Sequence, residues 1–290
     1  MQAKCLTITY LTKASYASLN GADKEADNIS SIKKIQMADG SEYPYKSSQA
    51  IRHDLREQLA VLGEGLSEVK KAKQEKGAVT TQGNPQEFID DDLFGFMQAD
   101  QETVKRTSPV RVSPLISLEP YRGELDFATN YMGAKIGVAP NIFESEIHSG
   151  FYRGTILIEL DRIGVADAAT YKLDLNSAEK KRRVTVLLDA VQNLWGVGRQ
   201  SRFLADISPK FICAAILTVK NPIFLECLRV DKQGMVQHAL IEATVKDFST
   251  VIKDVVLGER KGFFPSETAQ ALPMGKAFAK LKSWLDDVYK

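Results

Sequence analysis

The segment Cys5-Leu-Thr-Ile-Thr-Tyr-Leu11 alternates apolar and polar side chains along its length. Leu6, Ile8 and Tyr10 alternate with two threonines, and a period of two is typical of a β-strand with one buried face. We therefore predict that the chain begins with a half-buried strand, and the remaining elements can be placed relative to it.

The main elements predicted from this strand onward follow the order strand, helix, strand, strand, helix, strand. They are a strand at 5–11, a helix that Ser47 or Ser48 can cap and that ends near residue 62, strands at 110–118 and 152–160, a helix at 177–195 and a strand at 211–219. This is the order of the ferredoxin-like α+β fold, which RNA-recognition modules share. We also expect a hairpin at 32–45 and a C-terminal amphipathic helix that starts near Pro273.

Two polar segments interrupt this order. Residues 63–107 are rich first in Lys and then in Gly and Gln before they turn acidic, and residues 119–149 are rich in Gly, Asn and Met with little periodicity. Such compositions are typical of insertions that contribute few core positions. We therefore predict a palm made of residues 1–62, 108–118 and 150–290, with insertions at 63–107 and 119–149.

The composition is that of a globular protein without a strong overall charge. The chain has 290 residues, 44% of them hydrophobic, and a formal net charge of +1. A polyanion would therefore have to be held by local clusters of Lys and Arg. Cys5, Cys213 and Cys227 fit no zinc or redox spacing, so we expect buried, reduced thiols in a cytoplasmic protein. No apolar run reaches the ~20 residues of a membrane span and no signal segment is recognisable, so we expect no membrane partner.

A glycine-flanked loop carries the clearest signal for binding an anion. Gly196-Val-Gly-Arg-Gln-Ser-Arg202 follows the helix predicted at 177–195, and residues 190–205 contain no Asp or Glu. Glycine lets a backbone approach a ligand closely, and the guanidinium groups of Arg199 and Arg202 present forked donors that match phosphate oxygens. A helix C-terminus with solvated arginines explains the same residues, and this alternative stays open.

Two further windows, residues 43–53 and 103–118, contain no Asp or Glu. Their basic side chains are Lys46, Arg52, Lys105, Arg106 and Arg111. A helix start adds exposed N–H groups and the hydroxyls of Ser47 and Ser48 to the first window, and these groups suit an anion. Ordinary N-capping, and a linker that enters a strand, are the alternatives. We expect the three windows to line one basic surface.

Candidates for catalysis are weaker, because no hydrolase or nucleotide-binding motif is present. Glu144, Glu146 and His148 would lie on one side of an extended strand as a possible metal set. Asp90-Asp91-Asp92 could ligate Mg²⁺, although we expect an exposed acidic turn. His53 is the candidate general base of a ribonuclease. We therefore predict no catalytic residue, metal or cofactor.

Four segments together resemble one protein family. They are Lys46-Ser-Ser-Gln-Ala-Ile-Arg52, Asp92-Leu-Phe-Gly-Phe-Met97, Lys105-Arg-Thr-Ser-Pro-Val-Arg-Val-Ser-Pro-Leu-Ile-Ser117 and the loop at 196–202. In this order they are similar to the DevR-type CRISPR-associated backbone subunit of type I Cascade complexes, a RAMP-superfamily protein of subtype I-B or a close relative. The similarity spans most of the chain.

The resemblance implies a hand-shaped, non-catalytic protein that binds CRISPR RNA. Such a protein has a ferredoxin-like palm, a helical finger, which we place at 63–107, and a thumb, which we place at 119–149. Copies would assemble head to tail along the RNA, beside the handle-binding RAMP subunit and the large subunit, while the guide pairs with a target DNA strand in antiviral defence. Tyr131 and Met132 are candidates for contacting a displaced base, and packing on the neighbouring subunit is the alternative.

A guide of variable sequence must be held through its phosphates and riboses, and Arg, Lys, backbone N–H groups and hydroxyls are suited to that. The predicted RNA-binding residues are Lys46, Ser47, Ser48, Gln49, Arg52, Lys105, Arg106, Arg111, Tyr131, Met132, Gly196, Gly198, Arg199, Gln200 and Arg202. Two alternatives are a RAMP-type ribonuclease that processes or cleaves RNA, and a transcriptional regulator. The absence of a helix-turn-helix pattern disfavours the regulator.

Overall fold

The computed structural model describes residues 2–22, 28–71, 79–99, 103–196, 198, 202–265 and 268–290. Within these residues it has sixteen strands, five α-helices and one 3-10 helix. The strands are β1 (Cys5–Ala17), β2 (Ile29–Ser30), β3 (Lys34–Gln36), β4 (Glu42–Lys46), β5 (Lys70–Lys71), β6 (Val79–Thr80), β7 (Phe96–Ala99), β8 (Thr103–Arg106), β9 (Val110–Val112), β10 (Leu115–Ser117), β11 (Leu125–Asn130), β12 (Asn141–Glu146), β13 (His148–Glu159), β14 (Phe211–Leu217), β15 (Ile252–Glu259) and β16 (Leu272–Pro273). The helices are α1 (Ser48–Val61), α2 (Ile89–Phe94), α3 (Ser177–Gln192), α4 (His238–Asp247) and α5 (Met274–Val288), and the 3-10 helix is Met132–Ile136. One large sheet with a few helices makes the fold α+β, as predicted.

The first predicted strand lies in the middle of the large sheet. Among the described residues this sheet has nine strands, in the order β16-β15-β14-β1-β13-β10-β4-β3, and β9 also pairs with β13. β1 is antiparallel to both of its neighbours, so that Ile8 lies opposite Ile156 of β13 and Ala214 of β14. β1 continues to Ala17, beyond the predicted end at residue 11.

The alternation along β1 separates two apolar cores, one on each face of the sheet. Leu6 and Ile8 belong to the larger core, which also contains the buried residues of α1, α3 and α5. Leu11 belongs to the second core, together with Ile241 of α4. The two threonines between Leu6 and Tyr10 are also buried, so the prediction of a half-buried strand was wrong. The chain that follows β14 covers the face that we expected to be polar.

The predicted helices form near their predicted bounds, because their capping residues and their apolar stripes indicate the same helical segments. Ser47 caps α1 by accepting a hydrogen bond from the N–H of Ala50, and Asn176 caps α3 by accepting one from Glu179. α5 begins directly after Pro273. Its buried residues recur along one side: Met274, Ala277, Phe278, Leu281, Trp284 and Leu285. Local sequence is therefore sufficient to locate these three helices.

Residues 63–107 contain less helix than a helical finger implies. The described part holds the hairpins β5–β6 and β7–β8 and the six-residue helix α2. All of α2 is buried, and Ile89 and Leu93 belong to the larger core. Gly95 ends α2 with a left-handed φ of 71°, and the position requires glycine because an added Cβ would collide with the carbonyl oxygen of Arg106. The expectation of a helical finger was therefore wrong for the described residues.

Residues 119–149 form a separate small sheet. β11 and β12 pair as an antiparallel hairpin with the 3-10 helix between them, and β2 pairs with β12 in parallel. The designation of this hairpin as a thumb, and the predicted boundaries of palm and finger, stay predictions.

Two whole-chain expectations can be compared directly with the structure. The three cysteines are free and buried, as predicted. Along the part of the chain that the structure describes, no helix has both the length and the apolar character needed to cross a membrane.

Candidate nucleic-acid interface

Two of the three acid-free windows meet at a cleft beside the start of α1. The cleft has a volume of about 230 Å³. Its lining residues are Ser18, Leu19, Asn20, Gly21, Lys46, Ala50, His53, Asp54 and Gly198. The Asn20 side chain accepts a hydrogen bond from the N–H of Ser47 at 2.8 Å and so ties the end of β1 to the helix start. The structure therefore brings the first window and the loop at 196–202 to one surface.

The start of α1 presents groups that can bind an anion. The first N–H groups of an α-helix have no acceptor within the helix, and they carry the positive end of its dipole. No acidic residue lies in the first turn of α1. Ser48 Oγ donates to Gln49 Oε1 at 3.1 Å, and this pair is exposed. Ser47 differs from Ser48 and Gln49, because its hydroxyl oxygen already caps the N-terminus of α1.

Lys46 forms the floor of the cleft and is not an exposed phosphate contact. Its Nζ lies 3.0 Å from Asp54 Oδ2 and donates to the carbonyl oxygen of Leu19 at 3.1 Å. Both side chains of the ion pair are buried. The predicted role in RNA binding is therefore corrected to a structural one, because the ammonium group is already neutralised within the protein.

Arg52 has the surroundings that most favour an added anion. It is half-buried, its Nη2 donates to the carbonyl oxygen of Val110 at 3.3 Å, and its Nε has no hydrogen-bond partner. No carboxylate among the described residues pairs with it. Burial lowers the pKa of Arg52, and the charges of Arg56 and Arg111 lower it further. A bound phosphate would supply both the missing counter-charge and an acceptor for Nε.

The two cations beside Arg52 each have a carboxylate partner. Arg56 Nε lies 3.4 Å from Asp90 Oδ2. Arg111 Nε lies 2.5 Å from Glu159 Oε1, but the Arg111 side chain is largely exposed. Glu159 is buried but has two further cationic partners, so it stays neutralised if Arg111 binds a phosphate instead.

Helix α1 separates the Arg52 cluster from the cleft. Successive residues of an α-helix are rotated by about 100°, which places His53 on the flank that faces the cleft and Arg52 on the flank that faces β9. Gly198 lies at the cleft. Arg199 and Gln200 lie outside the described residues, so their predicted contacts with RNA stay predictions.

Arg202 joins the loop at 196–202 to the hairpin β11–β12. Its guanidinium pairs with Asp126 of β11, donates to Ser145 Oγ of β12 at 3.2 Å and lies 4.8 Å from the centre of the Phe143 ring. Asp126 also accepts a hydrogen bond from the Tyr16 hydroxyl at 2.7 Å, and this bond and that of Arg202 hold the pKa of Asp126 below its usual range. Arg202 is therefore engaged within the protein, unlike the free phosphate contact predicted from sequence.

The two glycines of this loop are placed differently. The N–H of Gly196 donates to the carbonyl oxygen of Ala205 at 3.1 Å and closes the neck of the loop. A Cβ added to Gly198 would meet no atom within 4 Å. The backbone at Gly198 is therefore open to a ligand that enters the cleft.

Lys105 and Arg106 of the third window have opposite environments. Lys105 is exposed on β8. Arg106 is buried, and it donates to Asp92 Oδ1 at 2.6 Å and to the carbonyl oxygens of Arg162 and Val165 at 2.8 and 2.9 Å. The prediction that Arg106 contacts RNA is corrected, because its guanidinium is consumed by bonds within the protein.

The three consecutive aspartates of α2 are buried acceptors, not the exposed acidic turn expected from sequence. Asp92 accepts from Arg106 and from Arg183 Nη1 at 2.9 Å, and Asp90 accepts from the N–H of Ser67 at 2.9 Å. Arg106 and Arg183 are 14 and 91 residues away from Asp92 in sequence. No local pattern could therefore have revealed this cluster.

The residues proposed to meet a displaced base lie at the tip of the hairpin β11–β12. Tyr131 is 66% exposed and Met132 is 81% exposed, and Ile136 beside them is 80% exposed. Apolar side chains so exposed gain nothing within the subunit, and they are available to a partner.

The possible metal set does not assemble. Glu146 pairs with Lys34 at 2.8 Å, and His148 Nδ1 lies 2.8 Å from the Tyr152 hydroxyl. Across the described ranges, no three His, Cys, Asp or Glu side chains are arranged to hold a metal ion.

Comparisons with known proteins agree on one kind of relative. The family described as "CRISPR-associated negative auto-regulator DevR/Csa2" matches residues 8–239. "CRISPR-associated protein Cas7/Cst2/DevR" of Myxococcus xanthus (strain DK1622) is 28% identical over 252 residues, which cover 80% of this chain and 78% of the relative.

Two solved structures have a similar fold. A chain of "CRISPR RNA-guided surveillance complex, pre-nicking" superposes with a TM-score of 0.66 at 13% identity, over 98% of this chain and 100% of that chain. A chain of "CRISPR RNA-guided surveillance complex" superposes with a TM-score of 0.62 at 15% identity, over 97% of this chain and 99% of that one.

Proposed function

Because this chain belongs to the DevR/Csa2 family of CRISPR-associated proteins, we propose that it binds CRISPR RNA as a backbone subunit of a Cascade-like surveillance complex. The observation that carries the proposal is the environment of Arg52. Its half-buried guanidinium lies beside two other arginines, and none of the carboxylates that the structure describes pairs with it. A site with unbalanced positive charge suits a phosphate, and phosphate contacts carry no sequence information. A guide that changes from one complex to the next requires this kind of contact.

The RNA strand is proposed to cross the exposed start of α1. Arg52 and Arg111 would bind phosphates on one flank of the helix. On the other flank, the RNA backbone would pass close to Gly198. The proposed contacts along this path are Ser48, Gln49, Arg52, Lys105, Arg111, Gly196, Gly198, Arg199 and Gln200. Lys46, Ser47, Arg106 and Arg202 would instead hold these elements in place, as their contacts within the protein indicate.

The palm is proposed to be ferredoxin-like. The strands β14, β1, β13 and β10 are adjacent, each is antiparallel to its neighbours, and α1 and α3 contribute to the same core on one face. This sheet order and the chain order strand, helix, strand, strand, helix, strand support the assignment. The additional strands β15, β16, β4 and β3 extend the sheet at both ends.

The hairpin β11–β12 is proposed to act as the thumb. Its exposed apolar tip, with Tyr131 and Met132, can insert into a stack of bases, as apolar wedges do in other nucleic-acid complexes. Arg202 would link this hairpin to the loop at 196–202, because one guanidinium contacts Asp126 of β11 and Ser145 of β12.

Repeated copies are proposed to bind one RNA head to tail in the cytoplasm. A net charge of +1 supports this, since neighbouring copies repel each other less than strongly basic ones would. A head-to-tail contact also generates an open array, which can follow an extended ligand. The proposed partners are the CRISPR RNA, the target DNA strand paired to it, further copies of this chain, and the handle-binding and large subunits of the complex.

We propose that the subunit is not an enzyme, and one observation favours testing the ribonuclease alternative. His53 is exposed at the cleft, where a bound strand would pass. Incubation of labelled CRISPR RNA precursor with the protein, with and without Mg²⁺, distinguishes the two. Intact RNA supports a binding role, and specific cleavage that is lost in His53→Ala supports the enzyme.

The salt dependence of RNA binding tests the proposed function. Each phosphate contact adds to the slope of affinity against salt concentration. Arg52→Ala should weaken binding of single-stranded RNA and reduce that slope by about one contact, irrespective of RNA sequence. Arg229→Ala is the matched control, because Arg229 is an exposed arginine outside the proposed path.

An unchanged slope in Arg52→Ala, or an equal effect of Arg229→Ala, would contradict the proposal. A double-stranded DNA competitor separates RNA binding from the regulatory role that the family description names. RNA that is displaced by such DNA at equal concentration would favour the regulator.

A further inference from the structure

We propose that Trp195 is a stacking platform for a base of the bound RNA. The inference rests on the proposed function and assigns a role to a residue outside the phosphate contacts described above. Trp195 lies after the end of α3 and directly before Gly196, at the entrance to the glycine-arginine loop. It therefore lies between the end of α3 and the loop at 196–202.

Trp195 is partly exposed at the surface. Its side chain is 39% exposed, whereas Trp284, the other tryptophan of the chain, is 9% exposed and donates its indole N–H to Asp254 at 2.9 Å. Buried aromatic N–H groups usually find a partner. Trp195 makes no hydrogen bond, ring contact or cation-π contact with another described residue. The exposed part of its ring is therefore open to a ligand.

The surroundings of Trp195 favour a nucleobase as that ligand. The N–H of Gly196 donates to the carbonyl oxygen of Ala205, and the chain neighbours of these two residues, Trp195 and Leu204, are 39% and 78% exposed. Two exposed apolar side chains thus flank the neck of a loop that contains two arginines, and residues 190–205 contain no acidic side chain. An aromatic surface flanked by cations complements a base attached to a phosphate, and proteins that bind single strands combine these two features.

Trp195 is also within reach of the proposed path of the strand. It precedes Gly198 by three residues, which span at most about 11 Å when extended, and Gly198 lines the cleft. A base on Trp195 and a phosphate at the cleft would therefore belong to one short stretch of RNA. Stacking tolerates any base, because every base has a π-face, so this contact is compatible with a guide of variable sequence.

Tryptophan emission tests the contact directly. The difference between wild-type protein and Trp195→Phe isolates the emission of Trp195, since the shielded Trp284 is common to both. Titration with a single-stranded oligoadenylate should quench this difference signal by half or more and protect it from iodide. An oligomer of abasic ribose phosphates should bind without quenching it.

Affinity provides the second readout. Trp195→Ala should weaken binding of the oligoadenylate about five-fold or more, the lower range for loss of one stacked base, and leave binding of the abasic oligomer unchanged. Trp195→Phe should recover most of the loss. Leu240→Ala, which removes an apolar side chain that is 37% exposed on α4, is the matched control and should bind like wild type. Circular dichroism of each variant confirms the fold.

The outcomes separate this inference from the proposed function. If wild type binds RNA but Trp195 emission and the affinity of Trp195→Ala do not change, the stacking role is overturned and the proposed function stands. If Trp195→Ala loses affinity for the abasic oligomer to the same extent, the residue supports the loop and does not stack. If wild type binds neither oligomer, both proposals fail.

Discussion

Lys105 and Arg106 are adjacent on β8, yet their side chains lie in opposite environments. The strand alternation places Lys105 in solvent and Arg106 in the interior, where Asp92 neutralises it. The sequence shows two basic residues in one window and cannot distinguish them, because the aspartate that decides the outcome lies on another element. The roles of neighbouring cations are thus set by tertiary contacts.

This contrast predicts different effects of two alanine substitutions. Arg106→Ala should lower the free energy of unfolding by on the order of 3 kcal/mol, because it leaves a buried Asp92 without one of its two guanidinium partners. Lys105→Ala should change it by less than about 0.5 kcal/mol, as exposed substitutions do. Urea unfolding of the two variants measures both values. Equal stabilities would contradict the structural role of Arg106.

The buried His148 should make the free energy of unfolding depend on pH. Burial lowers the pKa of His148, whose Nδ1 lies 2.8 Å from the Tyr152 hydroxyl. As the pH falls from 8 to 5, the unfolded chain takes up a proton at this side chain near pH 6.5, and the folded protein does so only at a lower pH. The unfolded state is therefore favoured progressively over this range.

The measurement for His148 compares the free energy of unfolding at pH 8 and pH 5. Wild type should lose stability on acidification, and His148→Gln should lose less, because its side chain cannot take up the proton. Loss of the same size in both proteins would show that His148 does not contribute.

At the scale of the element, the sequence predicts those pieces whose boundaries are encoded locally. α1 has its capping serine, and α5 has its proline and apolar stripe, so these form where expected, whereas β1 begins where its alternation predicts and continues beyond residue 11. α2 was missed, because three aspartates are normally exposed and here are neutralised by arginines far away in sequence. The buried threonines of β1 were missed for the same kind of reason, since the chain after β14 covers them.

The candidate site divides in a similar way. Residue type and spacing were sufficient to select Arg52 and the loop at 196–202 as a candidate interface. They could not show that Lys46 and Arg202 would be paired within the protein, because Asp54 and Asp126 approach them only in the folded chain. Whether a basic residue is available to RNA therefore depends on the carboxylates that folding brings to it.

Substitutions at the tip of the hairpin β11–β12 should change the structure of the bound RNA without changing the stability of the protein. Replacement of Tyr131 and Met132 by Ser should leave the free energy of unfolding within about 0.5 kcal/mol of wild type, because both side chains are exposed. In the complex, the same variant should no longer unstack a base. 2-Aminopurine placed at successive positions of the RNA should brighten at intervals with wild type and stay dim with the variant. Equal emission from both complexes would contradict the proposal that Tyr131 and Met132 insert between bases.

At the scale of the whole molecule, local basic sites on a nearly neutral chain suit repeated binding along a polyanion. The net charge is +1, and Lys46 and Arg202 of the basic windows are paired with carboxylates. A single copy should therefore bind RNA weakly, and contacts between copies should add to the affinity. The number of bound copies should then follow the length of the RNA and not its sequence.

The mass of the protein–RNA complex tests this claim most directly. Native mass spectrometry should show that doubling the length of a single-stranded RNA about doubles the number of bound protomers, and that two unrelated sequences of equal length bind the same number. One protomer on both lengths, or occupancy that depends on the sequence, would contradict the account of a subunit that repeats along its guide.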